Sequence, residues 1–124
     1  MRLLLDTHIL IWWHESNPRL TKKMRNTIVD ANEVYVSMAS LWEMAIKLSS
    51  KRFKLSISRK LQTLAGDFTL LDVNIDHAQQ VMELPWFHRD PFDRMLIAQA
   101  QSEDLYLVTD DAAVLRYNVK RIEI

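Results

Sequence analysis

Apolar positions along the chain follow two periods, and the alternation between them predicts the layout. Arg2–Leu5 carries the continuous run Leu3-Leu4-Leu5 and reads as a short buried strand, with a helix over residues 7–14 behind it. Asn17-Pro18 marks a loop, and Thr21 is placed to cap a helix reaching about Asp30. Val34-Tyr35-Val36-Ser37 is β-branched and aromatic, hence a strand. Residues 39–48 return to helical spacing, with Leu41, Trp42, Ala45, Ile46 and Leu48 on the predicted apolar face. Residues 58–65 are expected to be helical and to stop at Gly66. Residues 69–73 read as a strand and 75–84 as a helix ended by Pro85. Residues 91–102 form a strongly patterned helix with Phe92, Met95, Leu96 and Ala98 turned inward. A buried strand over 105–108, a short helix over 112–117 and a strand over 119–122 complete the chain.

Short apolar strands alternating with helices imply an α/β fold: a parallel sheet covered on both faces, with right-handed crossovers. Ligands in such folds bind at the carboxyl ends of the strands, near a switch in strand order. This locates a site before any motif is considered.

Composition narrows the chemistry. A length of 124 residues fits one domain, taken as 1–124. No apolar run approaches a membrane span and no leader pattern is visible, so a cytoplasmic protein is expected. The absence of cysteine excludes disulfides, thiolate metal sites and a thiol nucleophile. The single glycine, Gly66, excludes the Gly-rich phosphate loops. The formal net charge is +0, but residues 47–60 hold Lys47, Lys51, Arg52, Lys54, Arg59 and Lys60 and no acid. That run reads either as a solvated helix end and loop or as a surface that holds phosphates.

Acids follow the predicted strands. Asp6-Thr7 follows the first, Thr109-Asp110-Asp111 follows a late one, and Asp90-Pro91-Phe92-Asp93 opens a helix. Glu43 sits inside the helix after the second strand. Each has a structural role open to it: Asp6, Asp90 and Thr109 or Asp110 as helix caps, and Glu43 as the ion partner of Lys47 four residues on. Together they put acids at three chain reversals on one sheet edge. Two carboxylates about 5 Å apart repel by roughly 3 kcal/mol at an effective dielectric of about 20, so a cation is expected among them. Oxygen ligands favour Mg²⁺ or Mn²⁺, and such an ion supports hydrolysis of phosphodiesters without a covalent nucleophile. His8, His14, His77 and His88 show no zinc spacing; His8, beside Asp6, has either a structural or a proton-handling role. Trp12-Trp13 and Trp86-Phe87 read as core or interface, with base stacking as the functional alternative.

The segments Leu5-Asp6-Thr7-His8, Ser40-Leu41-Trp42-Glu43, Asp90-Pro91-Phe92-Asp93-Arg94-Met95-Leu96-Ile97-Ala98-Gln99-Ala100 and Leu107-Val108-Thr109-Asp110-Asp111 resemble, in that order, the PIN-domain toxins of the VapC type. The resemblance covers essentially the whole chain, and the Asp-Pro-Phe-Asp-Arg run is its most specific part. It implies a three-layer α/β/α sandwich with a central parallel sheet. It also implies an Mg²⁺- or Mn²⁺-dependent ribonuclease, the toxin of a toxin–antitoxin pair. Asp6, Glu43, Asp93 and Asp111 are carried over as the catalytic, metal-binding acids. Asp90 is then a cap or an outer ligand, Asp110 fills a variable position beside Asp111, and Thr7 and Thr109 supply hydroxyls that orient carboxylates. The implied partners are an RNA substrate, a cognate antitoxin and a second copy in a homodimer, with no membrane. A neutral chain lacks a strongly basic face, which points to a structured RNA held by local cations such as Lys47, Arg52, Arg89 and Arg94. A phosphoacceptor receiver domain fits the size but wants its acidic pair after the first strand. A haloacid-dehalogenase-like phosphatase wants a second aspartate where His8 stands. A non-catalytic interaction module on the same fold is the remaining alternative.

Overall fold

The computed structural model describes residues 1–51, 53 and 55–123. Five strands, β1 (Arg2–Leu5), β2 (Glu33–Ser37), β3 (Thr69–Leu71), β4 (Tyr106–Thr109) and β5 (Arg121–Glu123), form one sheet in the order β3-β2-β1-β4-β5. Every neighbouring pair is parallel. The chain builds outward from β1 to β3, then crosses back to lay β4 on the other side of β1. The switch point therefore lies between β1 and β4, whose next residues are Asp6 and Asp110.

Side-chain alternation on the strands divides the core. Leu3, Leu5, Val36 and Val108 face one layer made by α1 (Thr7–Glu15), α2 (Lys22–Asp30), α3 (Met38–Ser49) and α4 (Leu61–Ala65). Leu4 and Leu107 face the other, made by α5 (Ile75–Glu83) and α6 (Pro91–Glu103). The result is the expected α/β/α sandwich. Burial of strands on both faces is why they read as unbroken apolar runs.

Local chemistry sets the helix ends. Asp6, Thr21, Ser37, Asn74 and Asp90 each cap a helix by accepting a backbone N–H. Pro91 occupies the first turn of α6, where its missing N–H costs nothing. Gly66 ends α4 at φ +59°, a conformation that a Cβ disfavours.

Three expectations change. The helix expected over 58–65 is only Leu61–Ala65, because the Ser58 hydroxyl takes the Lys60 N–H and closes a turn. The helix expected over 112–117 is a single 3-10 turn at Val114–Arg116, since the Asp111 carboxylate takes the Ala113 N–H and the following bonds run three residues back. On α3 the buried stripe is Leu41, Met44 and Leu48 together with Ser40 and Glu43, whereas Trp42 and Ile46 are exposed. The polar stripe of α3 thus faces inward, toward the sheet edge, and an aromatic residue faces out.

No helix among the described residues is long and apolar enough to cross a membrane.

Candidate active site

Asp6 leaves β1 at the switch point and is 2% exposed. One carboxylate oxygen caps α1 by accepting the His8 N–H at 2.8 Å. The other accepts the Thr109 hydroxyl, from the end of β4, at 2.8 Å. Thr109 Oγ1 in turn accepts the Asp111 N–H at 3.0 Å, so one hydroxyl ties both acids to the strand ends. Thr7, expected to orient a carboxylate, instead donates to Ser40 Oγ at 3.0 Å and fastens α1 to α3.

Glu43 enters from α3 and is buried. Its Oε2 lies 3.4 Å from Lys47 Nζ, one turn on. Its Oε1 is inaccessible and has no hydrogen-bond partner among the described residues. A buried carboxylate oxygen left unsatisfied is costly, which marks it as a position prepared for a ligand.

Asp93 arrives on the first turn of α6. Burial, reinforced by the charges of Asp6 and Asp90 and by Glu43, pushes its carboxyl up to about 7, against the opposing pull of His88. Asp90 is the N-cap of α6, its Oδ1 accepting the N–H groups of Phe92 and Asp93. Asp111 stands opposite, with Oδ1 on the Ala113 N–H and Oδ2 at 2.9 Å from His88 Nε2. Asp110 is exposed.

His88 is a site residue that no sequence motif marked. Its Nε2 also lies 3.0 Å from Asp93 Oδ2, and His88, Asp93 and Asp111 present ligand atoms all within 4.8 Å of one another. Burial opposes a charged ring there, but the Asp111 hydrogen bond and the charges of Asp93, Asp111 and Asp90 outweigh it and raise the pKa. The available signal was its place two residues ahead of the cap Asp90, not any spacing between histidines. His8 lies at the outer side of Asp6, its Nδ1 at 3.7 Å from Oδ1, and that contact holds its pKa above the ordinary imidazole range.

The expected phosphate-holding cations separate. Lys47 reaches the acidic centre through Glu43. Arg89 is exposed and lines an adjoining apolar groove of about 630 Å³ with Trp42, Trp86 and Phe92. Arg52 lies outside the described residues, as does Lys54. Arg94 is corrected: it is 3% exposed and donates to the carbonyls of Pro85 at 2.9 Å and Val81 at 3.1 Å, with longer contacts to Leu84, His88 and the Tyr117 hydroxyl. It staples the α5–α6 loop, at the carbonyl end of α5 where a cation is favoured, and is not available to RNA.

The family model described as PIN domain matches residues 3–120. The chain belongs to the PIN-domain family. Among PIN relatives, it is 32% identical over 112 residues to Ribonuclease VapC22 of Mycobacterium tuberculosis, covering 88% of this chain and 86% of that protein. Its fold matches VapBC2 from Rickettsia felis, solved with a DNA fragment from their promoter, at a TM-score of 0.76 and 17% identity over 99% of this chain and 98% of that one. It also matches VapBC-1 from nontypeable Haemophilus influenzae at a TM-score of 0.72 and 18% identity, over 99% and 98% of the two chains. At such identities the structural likeness speaks for the PIN fold alone.

Proposed function

We infer that this PIN domain is a metal-dependent endoribonuclease, the toxin of a toxin–antitoxin pair, with Asp6, Glu43, Asp93 and Asp111 as its catalytic acids. The observation that carries the reading is the buried, unpartnered Glu43 Oε1 in the same acidic cluster as Asp93, whose carboxyl is pushed up by burial and then by the charges of Asp6 and Asp90. Four acids converge there against Lys47 and His88, and the oxygen donor set fits Mg²⁺ or Mn²⁺. Asp93 and Asp111, whose ligand atoms lie within 4.8 Å of each other, would hold the ion together with Asp6 and Glu43. When bound, a divalent ion supplies Lewis-acid polarisation of a phosphate oxygen and a more acidic water.

The chain's own groups supply the rest. Thr109 keeps Asp6 turned inward, and the ion pair with Lys47 leaves Glu43 Oε1 free for the centre. The carboxylate form of Asp93, and so its use as a ligand, would be favoured by a bound cation. Lys47 and Arg89 are positioned to hold backbone phosphates flanking the scissile bond, where electrostatic contacts dominate RNA affinity. Hydrolysis adds the oxygen of water to phosphorus and expels a ribose oxygen, which takes up a proton. A solved toxin–antitoxin complex from Klebsiella pneumoniae shares this fold and supports an antitoxin partner for this chain, and residues 1–124 are taken as one catalytic unit acting in the cytoplasm.

The test is hydrolysis of total RNA by purified protein with Mg²⁺, with Mn²⁺ and with EDTA, beside Asp6→Asn. Cutting that requires either ion and disappears in the variant is the expected result. Equal activity of Asp6→Asn and wild type overturns the assignment.

A further inference from the structure

The triangle of His88, Asp93 and Asp111 has the spacing of a metal site with one nitrogen ligand. The second ring nitrogen argues against that use. His88 Nδ1 accepts the backbone N–H of Asp90 at 3.1 Å. A ring nitrogen that accepts carries no proton, so the proton of the neutral ring sits on Nε2 and is donated to Asp111 Oδ2, with Asp93 Oδ2 in ion-pair range at 3.0 Å. A ligating histidine is wired the other way: its lone pair faces the metal and its other nitrogen donates to an acceptor. A second proton, on Nδ1, would face the Asp90 N–H, and that contact opposes the two carboxylates' pull toward a charged ring.

We propose that His88 is a positioning residue, a fixed Nε2–H donor to Asp111 that keeps this carboxylate beside Asp93 for the cation and does not itself ligate it. The proposal rests on the metal-nuclease reading of the site.

The surroundings hold this donor in place. Asp90, which presents its N–H to Nδ1, also caps α6, so the ring is registered to the helix that carries Asp93. The backbone N–H of His88 donates to the Tyr117 hydroxyl at 2.9 Å. That hydroxyl donates to the Pro85 carbonyl at 2.7 Å, which Arg94 also engages. Asp111 comes from the other side of the switch point with one oxygen already committed to the Ala113 N–H. The imidazole therefore bridges acids delivered by two elements distant in sequence, and it allows them to approach before any cation arrives.

The experiment uses the full chain labelled with ¹⁵N, with Mg²⁺ alone as the diamagnetic probe, and calorimetric titration with Mn²⁺. The imidazole ¹⁵N–¹H correlation of His88 is expected to show Nε2 protonated and Nδ1 unprotonated, before and after saturation with Mg²⁺. His88→Ala is expected to bind Mn²⁺ roughly 10- to 100-fold more weakly. His88→Gln, whose amide nitrogen can occupy the Nε2 position, should regain most of that affinity, and it keeps the test decisive if the alanine variant fails to fold. Transfer of the proton from Nε2 to Nδ1 on adding Mg²⁺ makes His88 a ligand and overturns the proposal. So does wild-type Mn²⁺ affinity in His88→Ala, or no recovery in His88→Gln. A wild-type protein that binds neither ion overturns the metal-nuclease reading as well, which separates the two failures.

Discussion

The Thr109 hydroxyl donates to Asp6 Oδ2 across the junction of β1 and β4, joining residues 103 positions apart. Because the same oxygen accepts the Asp111 N–H, a single side chain aligns the first and the last acid of the site. Thr109→Val keeps the shape and removes both bonds. It should cost about 1–3 kcal/mol in urea unfolding, since the buried Asp6 Oδ2 and the half-buried Asp111 N–H are left without a partner. Mn²⁺ affinity should fall roughly tenfold or more by calorimetry, and Thr109→Ser should restore most of both.

Arg94 should behave as a structural residue despite its place beside Asp93. Arg94→Met removes a charged donor from the carbonyls of Val81 and Pro85, which keep the Leu84 N–H and the Tyr117 hydroxyl respectively, and is expected to lower stability by about 1.5–3 kcal/mol. Arg89→Ala, at an exposed position, should leave unfolding within about 0.5 kcal/mol. It should instead reduce the salt slope of RNA affinity by roughly one unit, because one backbone phosphate is no longer neutralised.

Metal-free protein should lose stability as pH rises. The folded-state pKa of Asp93 is raised to about 7, against an unfolded value near 3.9, so the folded chain holds that proton more tightly. Its contribution is fully present below the unfolded value and is lost as pH climbs through about 7. His8 is raised above its ordinary value by its bond to Asp6 and acts with the same sign. Thermal unfolding in EDTA should therefore occur several degrees lower at pH 8 than at pH 5.5. Saturating Mn²⁺ should remove most of that difference, because a ligand bound only by the folded state stabilises it.

Asp93→Asn should separate stability from function. The amide keeps the shape of the side chain beside His88, while the charge that repels Asp6, Asp90 and Glu43 is gone. In EDTA at pH 8 the variant should melt above wild type and show a flatter pH dependence. Mn²⁺ binding and RNA cleavage should both be abolished. A variant that melts below wild type would show that the acidic cluster is not a source of strain.

Most of the element order was legible because strands buried on two faces and amphipathic helices leave opposite periods in the chain. The aspartates were legible for a related reason: they stand at strand ends or helix starts, where Asp6 and Asp90 also act as caps, whereas Glu43 lies mid-helix in α3. The same double use hid His88, whose significance lies in its hydrogen bond to Asp111 and its contact with Asp93, from different elements. It also hid Arg94, which has the composition of an RNA contact and the surroundings of a core residue. No pattern in the chain distinguishes a solvated guanidinium from one that finds a ring of carbonyls.

What the chain determined alone was local and periodic: the run Leu3-Leu4-Leu5, the caps at Thr21 and Asp90, the stop at Gly66, and the succession of acids. Those follow from backbone sterics, hydrogen-bonding side chains and the need to bury one face of each element. Tertiary structure decided what met at the switch point. It turned Glu43 inward and Trp42 outward on one helix, put Asp111 and not Asp110 against His88, and committed Arg94 to the α5–α6 loop. These outcomes depend on contacts between residues far apart in sequence. They are settled by the crossing of β4 beside β1 and by the burial that follows, neither of which any local period encodes.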